Sequence, residues 1–97
     1  MKLGIVLATR EDLGHAVALA LAARRARHEV AIFAMDLGAT ALAEHAGAVA
    51  TLLDADCDIT VCSNSAVGLV HDDAVLRGSQ DDHAALLATA DRTVAST

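Results

Sequence analysis

Apolar and polar positions along this chain switch between two periods, and the switches mark its elements. Leu3-Gly4-Ile5-Val6-Leu7-Ala8 is a short unbroken apolar run, the pattern of a strand buried on both faces. Thr9 and Asp12 are spaced as a capping pair and predict a helix start. Leu13, Ala16, Val17, Ala20 and Leu21 then recur at helical spacing and form one apolar face. Arg24, Arg25, Arg27 and His28 close that helix with charge that suits its C-terminal dipole. Residues 29–35 read as a second strand, Asp36-Leu37-Gly38 as a loop, and 39–55 as a helix with Leu42, Ala46, Val49 and Leu53 on one side. Gly47 weakens its middle and predicts a division there. Asp58-Ile59-Thr60-Val61-Cys62 is a brief β-branched third strand, and Ser63-Asn64-Ser65 turns into a short helical or irregular segment over 66–70. Arg77-Gly78-Ser79 breaks the chain again. Ser79 and Asp82 form a second capping pair, opening a helix through Leu86, Leu87 and Ala90, and 92–95 reads as a last strand.

Strands alternating with helices, with no repeat and no linker, predict one domain over 1–97. The expected fold is α/β: a three-layer α/β/α sandwich with a mainly parallel sheet of four to five strands. Composition refines this picture. Of 97 residues, 23 are Ala and one is Phe, with no Tyr or Trp, so Leu and Val must build the core while Ala lets elements approach closely. A core so thin in large side chains points to a homo-oligomer. The net charge of −6 lacks the basic footprint of direct nucleic-acid binding. No apolar run approaches the roughly 18 residues of a membrane span, and the opening run reads as a strand in preference to a secretion leader. Two cysteines in such a chain indicate a reduced, cytoplasmic protein.

In parallel sheets, ligands and chemistry collect at the carboxyl ends of strands. Three loops lie there, over 9–12, 35–38 and 62–65, and only the third carries a nucleophile. Cys62 ends a strand just before a potential helix start, whose N–H groups would stabilise a thiolate, and Ser63, Asn64 and Ser65 offer hydrogen bonds to a sulfur anion. A free cysteine is also commonly a small buried hydrophobe, so both readings stand at this point. Cys57 is expected on the edge of the sheet opposite the site, with Asp56 and Asp58 disfavouring its thiolate. Along an extended strand its Cα lies roughly 16 Å from that of Cys62, too far for a disulfide. Asp54, Asp56 and Asp58 open like a calcium loop, but Ile59 and Ser65 occupy its required glycine and glutamate positions. The five histidines show no zinc spacing. His71 is read as solvated by Asp72 and Asp73 and is not assigned as a base; His83, ahead of Leu86 and Leu87, is read as a packing residue. No glycine-rich phosphate loop follows the first strand, so neither a metal nor an organic cofactor is implied.

The segments LGIVLAT, EVAIFAMDLGA, VCSNSA and GSQDDHAALLATADRTV together resemble the DsrE/DsrF-like family, which includes the TusD-type sulfur-relay subunits. The polar, position-specific Gly-Ser-Gln, helix, Ala-Asp-Arg arrangement of the last segment carries most of the likeness. The resemblance implies a parallel α/β sandwich assembled into trimers or hexamers, with Cys62 on the position that accepts sulfur as a persulfide. Where relay members commonly carry a small-residue helix ending in two arginines and glycine, this chain has Ala66-Val67-Gly68-Leu69-Val70-His71. Two functions follow as expectations. One is a sulfur carrier that takes sulfane sulfur from a donor protein onto Cys62, with Ser63, Asn64 and Ser65 in support, and passes it to an acceptor thiol. The other is a non-catalytic oligomeric binding or scaffold protein on the same fold.

Overall fold

The computed structural model describes residues 1–96. Its elements in chain order are β1 (Lys2–Leu7), α1 (Leu13–Arg25), β2 (Glu29–Ala34), α2 (Leu37–Glu44), α3 (Ala46–Asp54), β3 (Asp58–Cys62), β4 (Leu76–Gly78), α4 (Gln80–Thr89) and β5 (Arg92–Ser96). The five strands form one sheet in the order β4-β3-β2-β1-β5, and every neighbouring pair is parallel. This is the three-layer sandwich that the alternation of strands and helices predicts.

The period of two within each strand sorts the sheet's faces. Leu3, Ile5 and Leu7 of β1, Val30, Ile32 and Ala34 of β2, and Ile59 and Val61 of β3 share a core with α1, α2 and α3. On the other face Phe33, Cys62 and Leu86 form a smaller cluster, with Ala31, Met35 and Ala90 against it. A single helix, α4, serves that second layer. Among the described residues no polar or charged residue is fully buried, so both cores are lined by apolar side chains, whose burial is worth ~1.5–3 kcal/mol for each large one.

Several expectations are corrected in detail. Thr9 and Asp12 do bond, Thr9 Oγ1 donating to Asp12 Oδ2 at 2.8 Å. That bond ties up the carboxylate, and Asp12 at the helix start makes no side-chain cap. The long central helix does divide, but at His45, two residues ahead of Gly47. Its buried face uses Leu42, Val49 and Leu52, while Ala46 is exposed and Leu53 only half-buried, because the break rotates α3 relative to α2. The arginine cluster also holds structure: Arg24 donates to the carbonyls of Ala55 at 2.8 Å and His28 at 2.9 Å, fastening the end of α1 to the end of α3. The break over 77–79 instead overlaps the three-residue strand β4, which pairs Leu76, Arg77 and Gly78 with Thr60, Val61 and Cys62. The Ser79–Asp82 pair forms a full capping box: Asp82 Oδ2 accepts from Ser79 N at 2.7 Å, and Ser79 Oγ accepts from Asp81 N at 3.2 Å.

Candidate functional site: the carboxyl end of β3

Beyond β3 the chain passes to the first face, where Ala66 and Val75 enter the larger core. Beyond β4 it passes to α4 on the second face. Connections that leave adjacent parallel strands on opposite faces open a crevice between them, the usual place for a ligand in such sheets. Cys62 stands at this point, paired in register with Gly78. Gly78 is required there, because a Cβ would lie 2.6 Å from Asp82 Oδ2 and 2.7 Å from Thr60 Cγ2. Ser63 fastens the two strand ends, its N–H and hydroxyl both donating to Gly78 O at 2.8 and 2.9 Å.

No helix follows Cys62. Residues 63–68 are turns, and 69–70 carry no regular structure, so the N–H groups that reach the sulfur belong to a turn and not to a helix start. The Ser65 backbone N–H is the largest influence on the thiol and lowers its pKa. Burial opposes this, while the Ser65 hydroxyl, the Asn64 N–H and the Gln80 amide add to the lowering, and the net shift is downward from the ordinary thiol value. Gln80 Nε2 lies 3.8 Å from Sγ. Of the three predicted supporting residues, Ser65 and Asn64 therefore act on the sulfur directly, whereas Ser63 acts on the strand ends.

Neighbouring loops complete the site. Asp36, after β2, takes φ 51° and ψ −129°, a conformation that costs a residue with a side chain about 1–3 kcal/mol. Its N–H donates to Ser65 Oγ at 2.9 Å, so the loop after β2 positions the hydroxyl that bonds the thiol. Gly38 lets this loop close over β1, since a Cβ there would sit 2.0 Å from Leu7 O. The third candidate loop, over 9–12, makes no hydrogen bond to the sulfur. His83 Nδ1 lies 3.2 Å from Gln80 Oε1, and its ring stacks on Phe33 with centroids 5.0 Å apart. The packing role read for His83 holds, and it also fixes the amide beside Cys62.

His71 is half-buried rather than solvated. Its Nε2 pairs with Ala39 O at 2.8 Å and its Nδ1 is buried, on the side of α2 and α3 rather than beside Cys62. Cys57 lies at the other end of the same strand, not on the opposite edge of the sheet. Burial is the first cause of its raised pKa; Asp58 and Asp56 add to it and Arg24 opposes. Both cysteines are free. Gln80 was missed by sequence reasoning, because only the β3–β4 pairing brings it near the thiol. Among the described residues no helix is long and apolar enough to cross a membrane, and no group of three metal-ligating side chains is gathered.

Compared with models of known protein families, and with curated proteins, the chain matches none.

Proposed function

We propose that this protein is a cytoplasmic sulfur carrier in which Cys62 accepts sulfane sulfur as a persulfide and passes it to an acceptor thiol. The observation that carries the reading is the convergence of the Ser65 and Asn64 N–H groups, the Ser65 hydroxyl and the Gln80 amide on one sulfur atom. The same donors suit a persulfide, which is anionic near neutral pH, and the rate of such exchange rises with the thiolate fraction. The DsrE/DsrF-like resemblance adds donor and acceptor proteins and a trimer or hexamer. Exposed Val67, Val70 and Leu76, at 79 %, 84 % and 63 %, lend support to assembly. Intact-protein mass after exposure to a sulfane-sulfur donor tests this. The wild type should gain a sulfur atom that Cys62→Ser does not; no gain, or an equal gain in the variant, contradicts the carrier role.

A second reading, a non-catalytic binding or scaffold protein, is favoured by the 5 % exposure of Cys62 and its place in the core with Phe33 and Leu86. It predicts that Cys62→Ser leaves every measurable property except stability unchanged.

A further inference from the structure

The two edges of the sheet differ in what they offer a neighbour. Strand β4 has three residues with Arg77 in the middle, so pairing with β4 of a second copy would set like charges face to face. Strand β5 has five and, among the described residues, a single strand neighbour, β1. Helix α1 packs on β1 and β2, and α4 on β1, β2 and β4, so β5 reaches past both helix layers. Arg92, Thr93, Val94 and Ala95 are all exposed. The register of β5 with β1 runs without a bulge, and its middle holds neither proline nor charge, the devices that keep an edge from pairing. Val94 also borders a notch of about 180 Å³, lined mainly by Ile5, Ala16 and Leu19, with Asp12 and His15 as its polar members.

The bonds of β1 fix which backbone groups of β5 point outward. Lys2 N–H donates to Asp91 Oδ2 at 2.7 Å and Lys2 O accepts from Asp91 N–H at 2.9 Å, so Lys2 faces the β5 side. Leu7 O accepts from Met35 N–H at 2.9 Å and so faces the β2 side. Alternation along the strand then turns Gly4 and Val6 toward β5. These two stand opposite Thr93 and Ala95. In a parallel ladder a residue bonds to the neighbours of the one opposite it, so the bonds to β1 fall on Arg92 and Val94. The N–H and C=O groups of Thr93 and Ala95 point away from the sheet.

We propose that β5 pairs antiparallel with β5 of a second copy of this chain, about a twofold axis at Val94, joining the two sheets into one. This register sets Thr93 opposite Ala95, so the outward groups of each residue meet those of its counterpart. Val94 meets Val94 of the second copy as the close, non-hydrogen-bonded pair, with Cα atoms ~4.5 Å apart. Charge favours a second copy as the occupant. Leu3 and Ile5, opposite Arg92 and Val94, belong to the face that α1 covers. On that face the antiparallel register brings Arg92 of each copy to the carboxyl end of the other sheet, where Glu11 and Asp12 lead into α1. The proposal rests on the assembly part of the functional reading and names its contact; it does not use Cys62.

Cross-linking tests the register in protein carrying Cys57→Ala and Cys62→Ser, which has no thiol of its own. Val94→Cys should form a disulfide between copies under mild oxidation, because ~4.5 Å lies within the roughly 4.4–6.8 Å that a disulfide spans. Ala95→Cys should cross-link about tenfold more slowly, since its Cα would lie roughly 7–8 Å from its own counterpart. No disulfide at Val94→Cys, or one formed no faster than at Ala95→Cys, would overturn the proposal. Sedimentation tests the contact without cysteines. The wild type should have a mass that is an even multiple of the chain's. Ala95→Pro removes an outward N–H where an edge strand tolerates proline, and should weaken association about tenfold. A trimeric wild type, or Ala95→Pro protein that associates as tightly as the wild type, would overturn this contact and leave assembly standing. A monomeric wild type would overturn both and assign the edge to a strand of another protein.

Discussion

Cys57 stands immediately before β3 and Cys62 ends it, and the two are almost equally buried, at 4 % and 5 % exposure. Their acidities nevertheless move in opposite directions. The chain reaches Cys57 from the C-terminal end of α3, where Cys57 N–H donates to Leu52 O at 3.1 Å. Carbonyl groups, not N–H groups, face the chain at a helix C-terminus, so no backbone donor there offsets the cost of burying a thiolate, and Arg24 offsets it only in part. Beyond Cys62 the chain turns back on itself, and its N–H groups converge on the sulfur. Burial opposes the thiolate at both ends of the strand, but it leads at Cys57 and ranks behind the Ser65 N–H at Cys62. What separates them is the direction of the peptide dipoles and the donors that the turn supplies.

The largest test of this contrast is Gly78→Ala. The added methyl has no room beside Asp82 and Thr60, so stability should fall by about 1–3 kcal/mol in urea titrations. If the β3–β4 junction supports only the carboxyl end, Cys62 alkylation at neutral pH should slow while Cys57 alkylation in the native state does not. Equal effects on both cysteines would show general loosening and erase the distinction.

Ser65→Ala removes one donor to the sulfur and the acceptor for Asp36 N–H. The expected loss of stability is about 0.5–1.5 kcal/mol. The Cys62 pKa should rise but stay below the ordinary thiol value, because the leading influence is the Ser65 backbone N–H, which alanine retains. A complete return to the ordinary value in the alkylation profile would assign the effect to the hydroxyl instead.

The smallest effect is expected at the other end. Asp56→Asn and Asp58→Asn remove charges that rank below burial in raising the Cys57 pKa. Each should leave Cys57 slow to alkylate, with its pKa still above the ordinary value. Ready labelling of Cys57 in either variant would restore the electrostatic explanation that the sequence suggests.

That last case shows what the sequence carries and what it does not. The bounds of β3 are legible because its β-branched residues stop at Cys62, and α4 is legible because a capping box is a local device. The capping pair at Thr9 and Asp12 has the same spacing, yet those side chains bond each other. Nothing local distinguishes the two cases. Strand β4 is hidden because three residues, two of them exposed, are too few to show alternation. Gln80 is hidden with it, since it comes near Cys62 only through a pairing across the sheet. Cys62 itself is legible from its place at a strand end, but the turn that acidifies its thiol reads equally well as a short helix. Acidic neighbours in the sequence suggest a reason for an inert Cys57; burial, which ranks first, depends on α3 and the sheet meeting around it.

The most direct test follows the pH dependence of alkylation for each thiol alone, Cys62 in Cys57→Ala and Cys57 in Cys62→Ser, with stability measured across the same range. Cys62 should titrate below about 8.5 and Cys57 above it. The signs for stability are opposite. A thiol whose folded pKa is lowered adds stability as pH rises through that value, and the contribution is complete above the unfolded pKa. A thiol whose folded pKa is raised loses stability as pH rises from the unfolded pKa toward the folded one. In this alkaline range the variant retaining Cys62 should therefore gain stability relative to the variant retaining Cys57. Equal titration of the two thiols, or a Cys62 midpoint at or above the ordinary value, would contradict the claim that the carboxyl end of β3 is built to hold a sulfur anion.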